Sequence, residues 1–249
     1  MKKIIVAMFL VALMASPAFA LFTNGGFETG DWSGWSFDYG LHNGAGNSIV
    51  WGKADNGKSA VITALSPMQT GQTLDVDPYN GTYMLRLNNY DNMYHATKVW
   101  QQDVISQQDI DDGGVLYVNW GAMLSNPSGH TGGASSFFQI IVYVNGAVEE
   151  SFDAFGSNTS GWTPAGTNYS VPLLYKKDTW SFDLKTYHVG DTVKIEMIAS
   201  DCALSGHGGW GYLDGIGTTY QPPNGVPEPA TLILLGLGLA GMVAMRKKF

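Results

Sequence analysis

The residue types best suited to chemistry crowd into one stretch, Asp201-Cys202-Ala203-Leu204-Ser205-Gly206-His207. A thiol and an imidazole can form a nucleophile and its base, but a glycine-rich turn of this length does not fix that geometry. Asp201, Cys202, His207 and the other histidines can also be weighed as metal ligands. A single cysteine and scattered histidines lack the spaced ligand sets of a zinc site. Cys202 is the only cysteine, so no intrachain disulfide can form, and it reads as a small buried apolar residue. There is no Gly-x-Ser-x-Gly elbow and no His-Glu-x-x-His, the patterns that mark hydrolase nucleophiles and zinc proteases. Asp111-Asp112 and Glu149-Glu150 offer the paired carboxylates of glycoside hydrolysis, but both read as solvated turns. No catalytic residue is assigned.

Binding chemistry is better represented. Aromatic faces stack on sugars while amides and carboxylates bond hydroxyls, and useful sites combine apolar walls with few polar groups. Asn88 to His95 mixes both kinds, with Tyr90 and Tyr94 as its aromatics. Trp51 and Trp162 are further candidates for such a ligand. Trp120 lies on the apolar face of a strand, and Trp32 and Trp35 read as packing at the core edge.

The elements that must position these residues are strands. Short β-rich runs recur between Gly, Asn, Asp and Pro clusters, the pattern of a sandwich or barrel. They cover residues 59–65, 82–87, 97–105, 115–124, 136–144, 148–155, 179–184, 192–199 and 210–219. The run 115–124 puts Leu116, Val118, Trp120, Ala122 and Leu124 on one face. Asn145-Gly146 is a hairpin signal. Residues 156–166 read as a long loop. No segment has sustained helical periodicity, and without crossover helices the sheets should be antiparallel. With 249 residues, 45% of them hydrophobic and 12% aromatic, the chain can bury a large core and does not fit a disordered composition.

Both ends are set apart. Met1-Lys2-Lys3, an apolar run and Ala18-Phe19-Ala20 form a secretory signal peptide over residues 1–20, cleaved after Ala20. Residues 221–225 read as a proline-stiffened linker. At the other end, Pro227-Glu228-Pro229 precedes the apolar run 230–245 and Arg246-Lys247-Lys248-Phe249. As a helix that run spans about 24 Å, short for a hydrocarbon core of roughly 30 Å but compatible with a thinned bilayer. The basic tail favours a cytoplasmic C-terminus. Five of the 13 basic residues lie in these two ends, against one of the 21 acidic ones. The body between them therefore carries 8 basic and 20 acidic residues, a net charge of −12. That excludes a phosphate-backbone partner such as nucleic acid, whose binding needs clustered Lys and Arg.

The segment 226–249 resembles the PEP-CTERM sorting signal in its three ordered parts: the Pro227-Glu228-Pro229 motif, one hydrophobic helix and a basic cluster. The resemblance implies export through the Sec machinery and recognition by a membrane-embedded exosortase. It also implies contact with the membrane through the helix before processing, and delivery to the cell surface or extracellular matrix.

Three stretches of the body, residues 24–35, 78–87 and 199–216, resemble secreted galactose-binding-like and carbohydrate-binding-module-like jelly rolls. The expected fold is an all-β, antiparallel jelly-roll β-sandwich over residues 21–220, flanked by an N-terminal signal helix and a single C-terminal hydrophobic helix. The resemblance implies a structural Ca2+ near the termini, which here would fall to Glu28 and Asp214 with Asn24 or backbone carbonyls. Calcium takes six to eight oxygen ligands, so the residue types suit it. The expected role is a non-catalytic, structural or adhesive body outside the cell that meets extracellular polysaccharide. A lectin-like carbohydrate-binding module is the alternative, and a polysaccharide hydrolase the less favoured third.

Overall fold

The structure, a computed structural model, describes residues 21–43, 48–54, 57–91 and 93–220. The signal segment with Ala18 and Ala20, the linker 221–225 and the sorting segment with Pro227, Glu228 and Pro229 lie outside the described residues.

Among the described residues twelve strands follow one another: β1 (Ser36–Asn43), β2 (Ser48–Lys53), β3 (Ala60–Thr63), β4 (Tyr83–Leu87), β5 (His95–Val104), β6 (Val115–Ser125), β7 (Phe137–Val144), β8 (Ala147–Phe155), β9 (Thr163–Asn168), β10 (Val171–Asp183), β11 (Thr192–Ser200) and β12 (Gly209–Gly217). They form two six-stranded sheets, ordered β2-β1-β5-β11-β7-β8 and β3-β4-β12-β6-β10-β9. Every strand pairing is antiparallel. The architecture is the expected jelly-roll β-sandwich.

Among the described residues one short α-helix, α1 (Gln107–Asp111), and a single 3-10 turn (Gly132–Ala134) depart from the all-strand expectation. Ser106 and Asp109 form a reciprocal capping box at the start of α1, which satisfies two amides that a first turn leaves open. Two strand boundaries also differ. Strand β10 reaches back to Val171, and part of the expected 156–166 loop is the edge strand β9. Pro164 and Pro172 hid both, because proline lacks a donor and is tolerated in sheets mainly at edges.

The alternation of β6 sets the core. Leu116, Val118, Ala122 and Leu124 are fully buried between the sheets, with Trp120 beside Phe138 and Phe152. Fully burying each of these leucine and valine side chains is worth about 1.5–3 kcal/mol. The hairpin after β7 is the predicted one, with Asn145 and Gly146 both at positive φ, as the favoured two-residue turn requires.

The opposite face of β6 is buried as well. Met123, Tyr175, Trp210 and Tyr212 form a second cluster with Met84, Ala165 and Leu173, and Leu74 and Val76 pack onto it from the β3–β4 connection. That connection is pinned to β9 by Thr73 N–H to Ala165 C=O at 2.9 Å and Thr167 N–H to Gly71 C=O at 2.9 Å. A Cβ on Gly71 would lie 1.9 Å from the Thr167 oxygen, so only glycine permits this approach. The second sheet is thus covered on both faces, whereas the outer face of the first sheet carries no such layer among the described residues.

Candidate functional site

The uncovered face is read most clearly from β5. Ala96, Lys98, Trp100 and Gln102 alternate with Thr97, Val99 and Gln101. Val99 belongs to the core, so Lys98 and Trp100 point the other way. Strand pairing sets Lys98 opposite Asp38 of β1 and Trp100 opposite Glu196 of β11. On the far side of β11, Lys194 lies opposite Tyr143 of β7.

These side chains interlock. The Lys98 ammonium lies 4.5 Å from the Trp51 ring centroid and 5.5 Å from that of Trp100. It is also 3.6 Å from the Asp38 carboxylate. The Lys194 ammonium sits 3.8 Å from the Tyr143 ring centroid and 3.1 Å from Glu196 Oε2. Cation–ring contacts of this kind are worth about 0.5–1 kcal/mol at exposed sites. Their main effect here is to hold three half-buried rings in fixed orientations. Burial and then the Glu196 charge push the Tyr143 hydroxyl above its ordinary pKa, so it stays a donor. The face therefore offers rigid aromatic surface bordered by hydrogen-bonding groups. Trp51 was legible as a candidate in the sequence. Trp100, Lys98 and Tyr143 were missed, and the period-two alternation of β5 is the signal that finds them.

A groove of about 480 Å³ opens beside the β1–β2 hairpin, lined by Leu41, Val50, Lys53, Met93 and Tyr94 with His42 and Ala203. Four of its apolar side chains are exposed: Leu41, Val50, Met93 and Tyr94. Tyr94 adopts φ 63°, uncommon for a bulky residue. Tyr90 does not join it, because Tyr90 packs against the second core cluster and its carbonyl accepts from Asn168 Nδ2 at 2.7 Å. Trp162 lies against the main core, 6.5 Å from Trp120. The four aromatic candidates therefore do not assemble into one site.

The turn around Glu28, the start of β4 and β12 meet at a corner. Both oxygens of Glu28 accept from the Thr82 amide, at 3.0 and 3.1 Å, and Tyr83 N–H donates to Oε1 at 3.1 Å. Asp214 Oδ2 accepts from Asn80 N–H at 2.9 Å. Burial first, with the Glu28 charge adding to it, pushes Asp214 up to about 7. Two carboxylates in one partly dry corner are a hard-oxygen donor set of the kind calcium takes. Asn24 spends its side chain within its own turn, donating to Asp31 C=O at 2.9 Å and accepting from Thr29 N–H at 3.4 Å. Its carbonyl accepts from Trp35 Nε1 at 3.1 Å.

The turn after β11 does bring Cys202 and His207 together, with Sγ 3.3 Å from Nδ1. Asp201 faces away from them: its buried carboxylate accepts from His95 N–H at 2.8 Å, Asn88 Nδ2 at 2.9 Å and Gly209 N–H at 3.2 Å.

The pattern of the PEP-CTERM protein-sorting motif matches residues 225–248. The chain thus carries the signal of an exported protein sorted to the cell envelope or surface. No curated protein matches the chain. Among solved structures, the chain is similar to TmCBM61 in complex with β-1,4-galactotriose, at 16% identity and TM-score 0.42 over 80% of this chain and 96% of the other. It is similar to a cyclase from Fischerella sp. TAU at 13% identity and TM-score 0.41, over 78% and 92%. A third is CBM27-1 of Caldicellulosiruptor saccharolyticus in complex with mannohexaose, at 12% identity and TM-score 0.39, over 80% and 96%.

Proposed function

We propose that the sandwich is a non-catalytic, adhesive body that binds extracellular polysaccharide through the outer face of its first sheet. The observation that carries this reading is the Trp51–Lys98–Trp100 arrangement on a sheet face left uncovered while its counterpart is sealed. Sugar rings present flat C–H faces to aromatic surface, and their hydroxyls pair with carboxylates and amides at its edge. The body's net charge of −12 disfavours polyanions, so a neutral polysaccharide is the ligand class. An aromatic anchor held by its neighbours loses little side-chain entropy on binding.

Calcium belongs to the same proposal as a structural ion held by Glu28 and Asp214. Its role is to neutralise the two carboxylates that fasten the N-terminal turn to β12.

The test is affinity gel electrophoresis of the full chain in gels containing neutral polysaccharides. Retardation should weaken about tenfold for Trp51→Ala and for Trp100→Ala, a loss of about 1.4 kcal/mol. Retardation of both variants equal to that of the unmodified chain would place binding elsewhere, and Tyr94→Ala then tests the groove. Release of reducing ends from the polysaccharide would favour a hydrolase.

A further inference from the structure

The loop that precedes β7 brings His130 against the Cys202–His207 turn. One ligand-capable atom from each of His130, Cys202 and His207 lies within 4.8 Å of the others. The two imidazole centroids are 5.4 Å apart. His130 Nδ1 is buried and has no hydrogen-bond partner. Sequence spacing gave no sign of this set, because His130 and Cys202 are far apart along the chain.

We propose that His130, Cys202 and His207 bind a zinc ion through two imidazole nitrogens and one thiolate, with a fourth position left to water. Tetrahedral zinc with Zn–S of about 2.3 Å and Zn–N of about 2.0–2.1 Å sets S···N near 3.5 Å and N···N near 3.3 Å. The Cys202 Sγ to His207 Nδ1 distance of 3.3 Å already meets the first requirement. Bringing His130 in from separations of up to 4.8 Å requires closing at most about 1.3–1.5 Å to reach these distances. Coordination through Nδ1 would give that buried, unpartnered atom a partner.

The surroundings suit a charged sulfur. His207 N–H and Ser205 N–H both point at Sγ, at 3.2 and 3.4 Å, and a negative sulfur accepts such bonds better than a neutral one. Cys202 N–H to His207 C=O at 2.9 Å closes the turn that carries both ligands. The loop of His130 is pinned by Gly132 N–H to Ser157 Oγ at 3.1 Å and joined to the turn by Ala203 N–H to Ala134 C=O at 3.0 Å. One thiolate and two imidazoles select a borderline-soft ion over calcium or magnesium, which prefer oxygen. On binding, the Cys202 thiol releases its proton to solvent as the Zn–S bond forms, and the imidazoles bind through neutral nitrogen.

The experiment titrates the untagged full-length chain, stripped with chelator, with zinc against a chromogenic competitor and then with cobalt. The expected result is one equivalent of zinc bound, and for cobalt a thiolate-to-metal charge-transfer band with visible bands of tetrahedral intensity. Cys202→Ser should abolish the charge-transfer band. His130→Gln should weaken zinc at least tenfold while the metal-free chain still unfolds cooperatively. Failure to bind zinc would overturn the proposal and reduce the cluster to a thiol–imidazole hydrogen bond. Stoichiometric binding unaffected by His130→Gln, or without the sulfur band, would also overturn it. Polysaccharide retardation is read on the same samples, so the outcome is separable from the glycan reading.

Discussion

Glu28 and Asp214 meet at Gly26, each with an atom 3.6 Å from where a Cβ on that glycine would stand, and together they hold the Asn80–Tyr83 turn by its amides. Asp214 fixes Asn80 N–H at 2.9 Å while Glu28 takes Thr82 N–H at 3.0 Å. The N-terminal turn, the start of β4 and the last strand are therefore joined by two carboxylates 186 positions apart in the chain.

This corner gives the protein a pH dependence of known sign. Asp214 is raised to about 7 by burial first and by the Glu28 charge, whereas an unfolded Asp titrates near 3.9. Between about pH 4 and pH 7 the folded state keeps a proton that the unfolded state has released. Stability therefore falls as pH rises through that window, by a ceiling of about 4 kcal/mol at 1.36 kcal/mol per pKa unit. Asp214→Asn mimics the protonated form and should flatten much of the decline. Burial shifts Asp201 in the same direction, so some slope should remain. Urea unfolding of both proteins at pH 4.5 and 7.5, with chelator present, measures this. Parallel pH profiles would refute the assignment.

Calcium should act where the proton does. At pH 7.5 a bound ion offsets the repulsion between Glu28 and Asp214, and at a hundredfold excess over its dissociation constant it adds about 2.7 kcal/mol. The melting midpoint should rise by several degrees on adding calcium to the chelated chain. Glu28→Gln and Asp214→Asn should each remove the rise. A midpoint indifferent to calcium in the unmodified chain would eliminate the ion from this corner.

Much of this frame can be read before any coordinates. The period-two pattern of β6 predicts which face enters the core, and Asn145-Gly146 predicts the hairpin, because both signals are local. Strands β1 and β2 escape notice, since Gly40, His42 and Gly52 interrupt their apolar pattern. They are stabilised by pairing with each other and with β5, which is not a local property. The sites follow the same division. Trp51 stands out by residue type, but its neighbour Trp100 becomes meaningful only when β1 and β5 pair. The approach of His130 to Cys202 depends on two loops converging at one end of the sandwich, and no spacing rule encodes that.

Gly25 should be irreplaceable for a packing reason. Its carbonyl accepts Ile216 N–H at 3.0 Å, and a Cβ there would fall 1.8 Å from the Ile216 oxygen. Backbone cannot swing aside as a side chain can. Gly25→Ala must separate the N-terminal turn from β12 and loosen Phe22 and Phe27, which pack there against Trp35 with centroids 6.1 and 5.6 Å away. The expected cost is about 3 kcal/mol, at the upper end of overpacking effects. Urea denaturation would show it as a lower midpoint with an unchanged slope. A midpoint equal to that of the unmodified chain would mean that the turn is not docked on β12.

The two tryptophans Trp51 and Trp162 should separate binding from stability. Trp162 leans on Trp120, which is stacked on Phe138 at a centroid distance of 5.5 Å and next to Phe152 at 4.8 Å. Removing the Trp162 ring uncovers that aromatic column, and Trp162→Ala should cost about 2–3 kcal/mol given its partial burial. The outer face of the first sheet stays intact, so polysaccharide retardation should be unchanged. Trp51 has the opposite profile: it lies over Lys98 rather than in the core, so Trp51→Ala should shift the unfolding midpoint by less than about 1 kcal/mol while weakening retardation. If Trp162→Ala abolished retardation with folding intact, the ligand would sit at the β8–β9 end of the sandwich and not on the face built around Lys98.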